Sequence, residues 1–133
     1  MQDPLAVMDS KWDAATVGEV LRGAAELVEE KGWAQKTNQT PDGRVCLGYA
    51  IELSAKALFV AKPELRHVPG NGCTRCDPPC SWGYAYLSND ACRVFGKFLR
   101  VGSAVMWNDR AERTADEVIT GMRACADQID PPK

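Results

Sequence analysis

The sequence predicts an all-α fold: a small four-helix bundle with one long Cys/Pro/Gly-rich loop. Three observations lead there. Apolar residues recur at three- and four-residue steps in four separate stretches, which places them on one face of a helix in each. Two of those stretches open with Thr-x-x-Glu, the pattern in which a hydroxyl and a carboxylate satisfy the exposed amides of a first turn. No stretch keeps the two-residue alternation of a half-buried strand convincingly. The expected organisation is an N-terminal arm over residues 1–13 and a single helical domain over 14–130, with a loop inserted at 61–87.

The arm contains Pro4 and has no sustained periodicity; Trp12 is placed to dock it on the core, since an aromatic ring buries a large area. The first helix is read from Thr16 to Lys31. Thr16 and Glu19 form its expected capping box, Val17, Val20, Leu21, Ala24, Leu27 and Val28 its apolar face, and Gly32 its terminator. A turn at Pro41-Asp42-Gly43 follows. The second helix covers Val45 to Val60, with Leu47, Ala50, Ile51, Ser54 and Leu58 on one face and small residues that let a neighbour approach closely. Pro63 ends it.

The third helix is expected to start near Ser88 and run to about Val101, with Ala91, Val94, Phe95, Phe98 and Leu99 inward and Gly102 as its stop. Trp82, Tyr84 and Tyr86 are read as an aromatic lead-in to it. A connector from Ser103 to Arg113 carries Trp107-Asn108-Asp109. The last helix runs from Thr114 to about Gln128. Thr114 and Glu117 form the second capping box, and Val118, Ile119, Met122, Cys125, Ala126 and Ile129 face the core.

The chain has 133 residues, enough for one domain with its own core. Its net charge of −2 argues against bulk phosphate binding, because nucleic-acid footprints are usually basic overall or in one dense stripe. The nearest approach to a stripe is Arg93, Lys97 and Arg100, read as a solvated helix face. The first residues lack a basic n-region and a continuous apolar h-region, and no apolar run approaches the ~20 residues that span a bilayer. The expectation is a cytoplasmic protein with no membrane association. In a reducing compartment its six cysteines are thiols or metal ligands sooner than disulfides.

Residues 63–82 hold three of the six cysteines, four of the eight prolines and the only histidine. Cys73, Cys76 and Cys80 have a spacing that lets sulfurs converge on one zinc ion, which prefers thiolate and imidazole in a tetrahedron. His67 is the first choice for the fourth ligand, followed by Cys92 and Cys46. A closed site of this kind would order the loop as structural zinc. Free thiols or disulfides are the alternatives. An iron–sulfur cluster does not fit the spacing, and no His-x-Glu partner is present for deaminase-like chemistry. No catalytic residue is assigned. Asn108 and Asp109, lying shortly before a helix, are read first as turn or cap residues and second as part of a polar pocket.

Several stretches taken together resemble a family of small uncharacterised proteins of actinobacteria and their phages. They are the helix from Glu19 ending in Gly32-Trp33-Ala34-Gln35, the segment Asp42 to Ala50 with its Cys46-Leu47-Gly48 helix start, and Trp107-Asn108-Asp109 leading to Arg113-Thr114 and Glu117-Val118. The resemblance spans about residues 16–126 outside the loop. Ala34 stands where members often carry cysteine, and the Cys73–Cys80 loop resembles an insertion, which leaves a metal without a family-wide role. The family has no established activity. The resemblance implies Trp33, Gln35, Cys46, Trp107, Asn108 and Asp109 as positions to test for a shared site, and binding is assigned to Trp33, Gln35, Trp107, Asn108 and Asp109.

The leading functional expectation is a non-enzymatic helical protein-interaction module, a phage accessory protein acting on a host protein in the host cytoplasm, with homo-oligomers also open to it. Aromatic residues at loop positions motivate it. The alternatives are a zinc-supported nucleic-acid-binding regulator, resting on Arg75 and the Arg93, Lys97, Arg100 row, and a small enzyme or ligand binder with a pocket near Trp33 and Trp107.

Overall fold

A computed structural model describes residues 12–62, 64–65 and 82–132. Among them are five helices and no strand: α1 (Ala14–Lys31), α2 (Leu47–Ala61), α3 (Trp82–Leu99), α4 (Ala104–Asn108) and α5 (Ala115–Ile129). The fold is all-α. The Cys73, Cys76, Cys80 and His67 positions lie outside the described residues, as does most of the expected arm and loop.

Helix α1 is the centre of the packing, with α5 against one side and α2 against the other. Both neighbours run antiparallel to it. Arg22 reaches Asp127 and Asp130 near the end of α5, while Glu29 reaches Arg123 a turn earlier. On the other side Glu19 meets Lys62, at the far end of α2. Helix α3 packs on α2, and α4 bridges α3 and the start of α2. The periodic apolar residues fill the space between: Val17, Val20, Leu21 and Ala24 from α1, Ala50, Ile51 and Phe59 from α2, Val94 and Phe95 from α3, and Val118 and Met122 from α5 are buried. Each buried Val, Leu, Ile, Phe or Met side chain among them contributes about 1.5–3 kcal/mol by leaving water. Trp12 is also buried, edge-on to Phe59 at 5.9 Å between ring centres.

Three helix starts differ from the sequence reading, each for a local reason. Helix α1 starts two residues early because Asp13, not Thr16, is its cap. The Asp13 carboxylate accepts the Thr16 N–H at 2.8 Å, and Glu19 turns outward to Lys62. Helix α2 starts two residues late, at Leu47, with Cys46 as cap and its sulfur accepting the Tyr49 N–H. Helix α3 takes in the aromatic lead-in and begins at Trp82, six residues before Ser88. The Thr114–Glu117 capping box forms as the spacing predicts.

Helix α3 stops at Leu99 without using Gly102. Arg100 takes a left-handed conformation (φ 60), its N–H bonds to Lys97 O, and the Val101 N–H reaches back to Gly96 O. This is the Schellman arrangement, in which two stranded carbonyls find donors. What the sequence reads as a plain connector then contains α4, a single turn and a half capped by Ser103.

Between α1 and α2 the chain is irregular but well bonded. Gly32 leaves the helix at φ 92, and residues 32–34 pair with Val45 through Val45 N–H to Gly32 O and Ala34 N–H to Val45 O. Cys46 N–H bonds to Asn38 O, and the Pro41-Asp42-Gly43 turn closes through Gly43 N–H to Thr40 O. These bonds hold residues 33–36 beside α4.

Candidate functional site

The residues singled out around Trp33 and Trp107 meet across the gap between the α1–α2 connection and α4. Asn108, the last residue of α4, is fully buried. Its Oδ1 accepts the Trp33 Nε1–H at 2.7 Å and the Leu47 N–H at 3.3 Å. Its Nδ2 donates to Ala34 O at 3.2 Å and to Asp109 Oδ1 at 3.0 Å. An amide side chain has two acceptor lone pairs and two donors, so the capacity of Asn108 is filled. The Leu47 N–H is the first amide of α2, which no carbonyl within that helix can satisfy. Asn108 therefore caps a helix 61 residues away in sequence.

Gln35 and Asp109 complete the clamp. The Gln35 amide donates to Asn108 O at 3.0 Å and Arg110 O at 2.6 Å. Asp109 Oδ1 accepts the backbone N–H of Lys36 at 2.8 Å. Lys36 sits at φ 63, a left-handed conformation that turns this N–H toward the carboxylate. Asp109 itself ends α4, its N–H bonded to the Val105 and Met106 carbonyls.

Trp107 faces the other way. Its ring packs edge-on to Phe95 at 5.7 Å, and the Arg113 guanidinium lies over it at 4.1 Å from the ring centre. Arg113 Nε also donates to Trp107 O, and its Nη1 pairs with Glu117. That guanidinium holds the Glu117 carboxyl below its ordinary value, helped by Thr114. Trp33, Gln35, Asn108 and Asp109 are thus brought together, with Trp107 one residue away and turned into the core. Their hydrogen bonds are spent on one another and on the backbone. Cys46 lies at the edge of the group as the cap of α2.

The described cysteines Cys46, Cys92 and Cys125 are thiols. Burial pushes the Cys92 thiol up to about 12, with lesser contributions from Cys46 and Glu52, so it stays protonated and is a poor nucleophile at neutral pH. Among the described residues, no group of three or more His, Cys, Asp or Glu side chains is placed to hold a metal ion. The expected alternative fourth ligands Cys46 and Cys92 lie at the cap of α2 and in the middle of α3.

Sequence reasoning did not single out a cleft on the outer side of α3 and α4. It has a volume of about 570 Å³ and is lined by the α3 residues Asn89, Cys92, Arg93, Gly96 and Lys97 and by residues 101–105. The Arg93–Lys97 spacing was a visible signal. The other wall depends on α4, which is too short to show periodicity. A second cleft, between Arg22, Glu26, Arg123 and Asp127, has both of its cations engaged in ion pairs, Arg22 with Asp127 and Arg123 with Glu29.

Residues 13–128 match a family described as a family of unknown function, DUF6197. The chain belongs to that family. No curated protein and no solved structure matches it. No helix among the described residues is long and apolar enough to cross a membrane.

Proposed function

We propose that this DUF6197 member is a helical protein-interaction module. The observation that carries the reading is the pair Val105 and Met106 on α4, which stay 42% and 73% exposed although α4 is otherwise built into the core through Ala104, Trp107 and Asn108. A short helix anchored so firmly presents those two apolar side chains on a rigid base, and methionine is adaptable at binding surfaces. The clamp around Asn108 serves this reading as the support that fixes α4. The resemblance to actinobacterial and phage proteins favours an accessory protein that acts on a host protein in the cytoplasm.

The test is site-specific photo-crosslinking from position 106 in host lysate, followed by mass spectrometry. A single partner captured from position 106, but not from position 60 on the exposed side of α2, is the expected result. Absence of any partner together with absence of self-association would overturn it.

The loop between α2 and α3 is proposed to hold a structural zinc ion through Cys73, Cys76, Cys80 and His67, on the strength of their spacing. Metal analysis of protein purified under reducing conditions tests this. About one zinc per chain is expected, and no bound metal would remove the proposal.

A further inference from the structure

Helix α2 is apolar nearly all the way round, with Glu52 and Lys56 as its only charged residues. Such a helix belongs in an interior, and at 15 residues it is too short to cross a bilayer, which takes about 20. Yet the described fold covers it only in part. Ser54 turns to α1, where its Oγ bonds to Val20 O, and Gly48 turns to α4, beside Val105. Lys56 lies at the border with α3, its Nζ 6.0 Å from the centre of the Tyr84 ring. Tyr49, Leu53, Ala57 and Val60 follow one another at steps of four, four and three, which keeps them together on the remaining face. Tyr49 and Leu53 are half-buried, Ala57 is exposed and Val60 is 70% exposed. The described helices that pack on α2 are α1, α3 and α4, each on another side.

The two charges say what fits there. Glu52 and Lys56 stand one turn apart along the α3 edge of this face. Their order and spacing suit an ion pair within the helix. Neither forms one with any partner among the described residues.

We infer that the outer face of α2 pairs with the same face of a second copy, antiparallel and about a two-fold axis. Such an interface uses one patch twice, so the patch must complement itself. An axis near position 54 sets Glu52 against the partner's Lys56, and Lys56 against the partner's Glu52. Parallel helices would instead put carboxylate on carboxylate and ammonium on ammonium. Leu53 and Ala57 lie at the centre, where the small alanine lets the backbones approach, and Val60 reaches the partner's helix start near Tyr49. The apolar face supplies the affinity, and the exposed charge pairs, weak in themselves, set the orientation. One helix face is smaller than the about 800 Å² per partner of a standard interface, so the dimer is weak and depends on concentration. This pairing is independent of a host partner at α4 and gives the molecule a second contact surface.

The test is sedimentation equilibrium of the full chain over a wide range of concentration. The unaltered protein should pass reversibly from monomer to dimer as concentration rises. Val60→Glu should weaken the dimer about tenfold or more, and because Val60 is exposed the dilute monomer should keep its thermal midpoint. Glu52→Lys and Lys56→Glu should each weaken it about tenfold, since two-fold symmetry turns both attractions into repulsions. An equimolar mixture of these two single variants should associate as tightly as the unaltered protein, because one copy then brings only cations and the other only carboxylates. A chain that stays monomeric at millimolar concentration would overturn the inference. So would a dimer indifferent to Val60→Glu, single charge variants that pair as well as the original, or a mixture that does not recover. A photo-crosslinker at position 60 should join two copies of the chain, and capture of any other protein there would give the face to that partner instead. Capture of a host protein from position 106 does not depend on these variants, so loss of the dimer leaves that reading standing, and the converse also holds.

Discussion

The indole N–H of Trp33 points at the buried Oδ1 of Asn108 from 2.7 Å, and the same oxygen holds the first amide of α2. One side chain from the fourth helix thus fixes both the exit of the first helix and the entry of the second. The exit needs such a hold because Gly32 and Lys36 both turn the chain through positive φ, away from the line of α1.

Replacing Asn108 should therefore be among the costliest polar changes in the molecule. Asn108→Ala strands the Trp33 and Leu47 N–H groups and the Ala34 carbonyl, at about 1–3 kcal/mol for each group left without water. A loss of about 3 kcal/mol or more is expected by denaturant unfolding. Asn108→Asp should be worse at neutral pH, since it sets a buried charge beside Asp109 and Ala34 O. Burial would raise its folded pKa above the unfolded value of about 3.9. Its penalty should then shrink as pH falls toward that value and grow as pH rises toward the raised one. A penalty independent of pH would contradict the placement of Asn108.

Gly23 and Ser54 define the close approach of α1 and α2. A Cβ at Gly23 would collide with Ser54 Oγ, while Ser54 Cβ lies at an acceptable 3.5 Å. Ser54 Oγ also donates to Val20 O at 2.8 Å. Gly23→Ala should cost about 1–3 kcal/mol in spite of alanine's better helix propensity. Adding Ser54→Ala removes the colliding atom, so the double variant should be little less stable than Ser54→Ala alone. Additive losses in this cycle would show that the helices can shift apart instead.

Arg100 is in a left-handed conformation that costs a non-glycine residue about 1–2 kcal/mol. Arg100→Gly should relieve it, less the extra freedom given to the unfolded chain, for a net gain of about 0.5–1 kcal/mol. A melting curve of this variant checks the assignment of the α3 terminus, since glycine inside a helix would instead lower the midpoint.

Acid should unfold the protein through identifiable carboxylates. The Thr16 hydrogen bond holds Asp13 below its ordinary 3.8, and Arg113 holds Glu117 below its ordinary 4.5. The unfolded chain then binds more protons than the folded one in that range. The stability they add is complete at neutral pH and is lost as pH drops from about 4.5 through the lowered values. Asp13→Asn with Glu117→Gln should flatten the acid limb of a stability-against-pH curve, and an unchanged slope would count against both contacts.

Much of the scaffold was legible because its cause is local. The three-and-four spacing of Val17, Val20, Leu21 and Ala24, or of Val118, Met122 and Ile129, is a property of neighbours in sequence, and these residues are the core. Thr114 and Glu117 form the capping box that their spacing predicts, whereas Thr16 and Glu19 do not, because Asp13 lies within reach of the same amides and Lys62 draws Glu19 away. The grouping of Trp33, Gln35, Asn108 and Asp109 came from resemblance. What they do there was not legible: apart from the adjacent Asp109, the side-chain partners of Asn108 lie 61 to 75 residues away, so its burial is decided by how the helices assemble. Helix α4 has five residues, too few for a periodic signature. The cleft beside it was hidden for the same reason.

The high pKa of Cys92 sorts the thiols by reaction rate. Alkylating reagents attack the thiolate, so a sulfur that ionises only near 12 is slow at neutral pH, and Cys46 and Cys125 are shielded by burial. In the native protein, any fast phase of alkylation is then attributable to Cys73, Cys76 and Cys80. Its amplitude becomes a direct gauge of whether those three sulfurs are engaged, without the need to substitute a single cysteine.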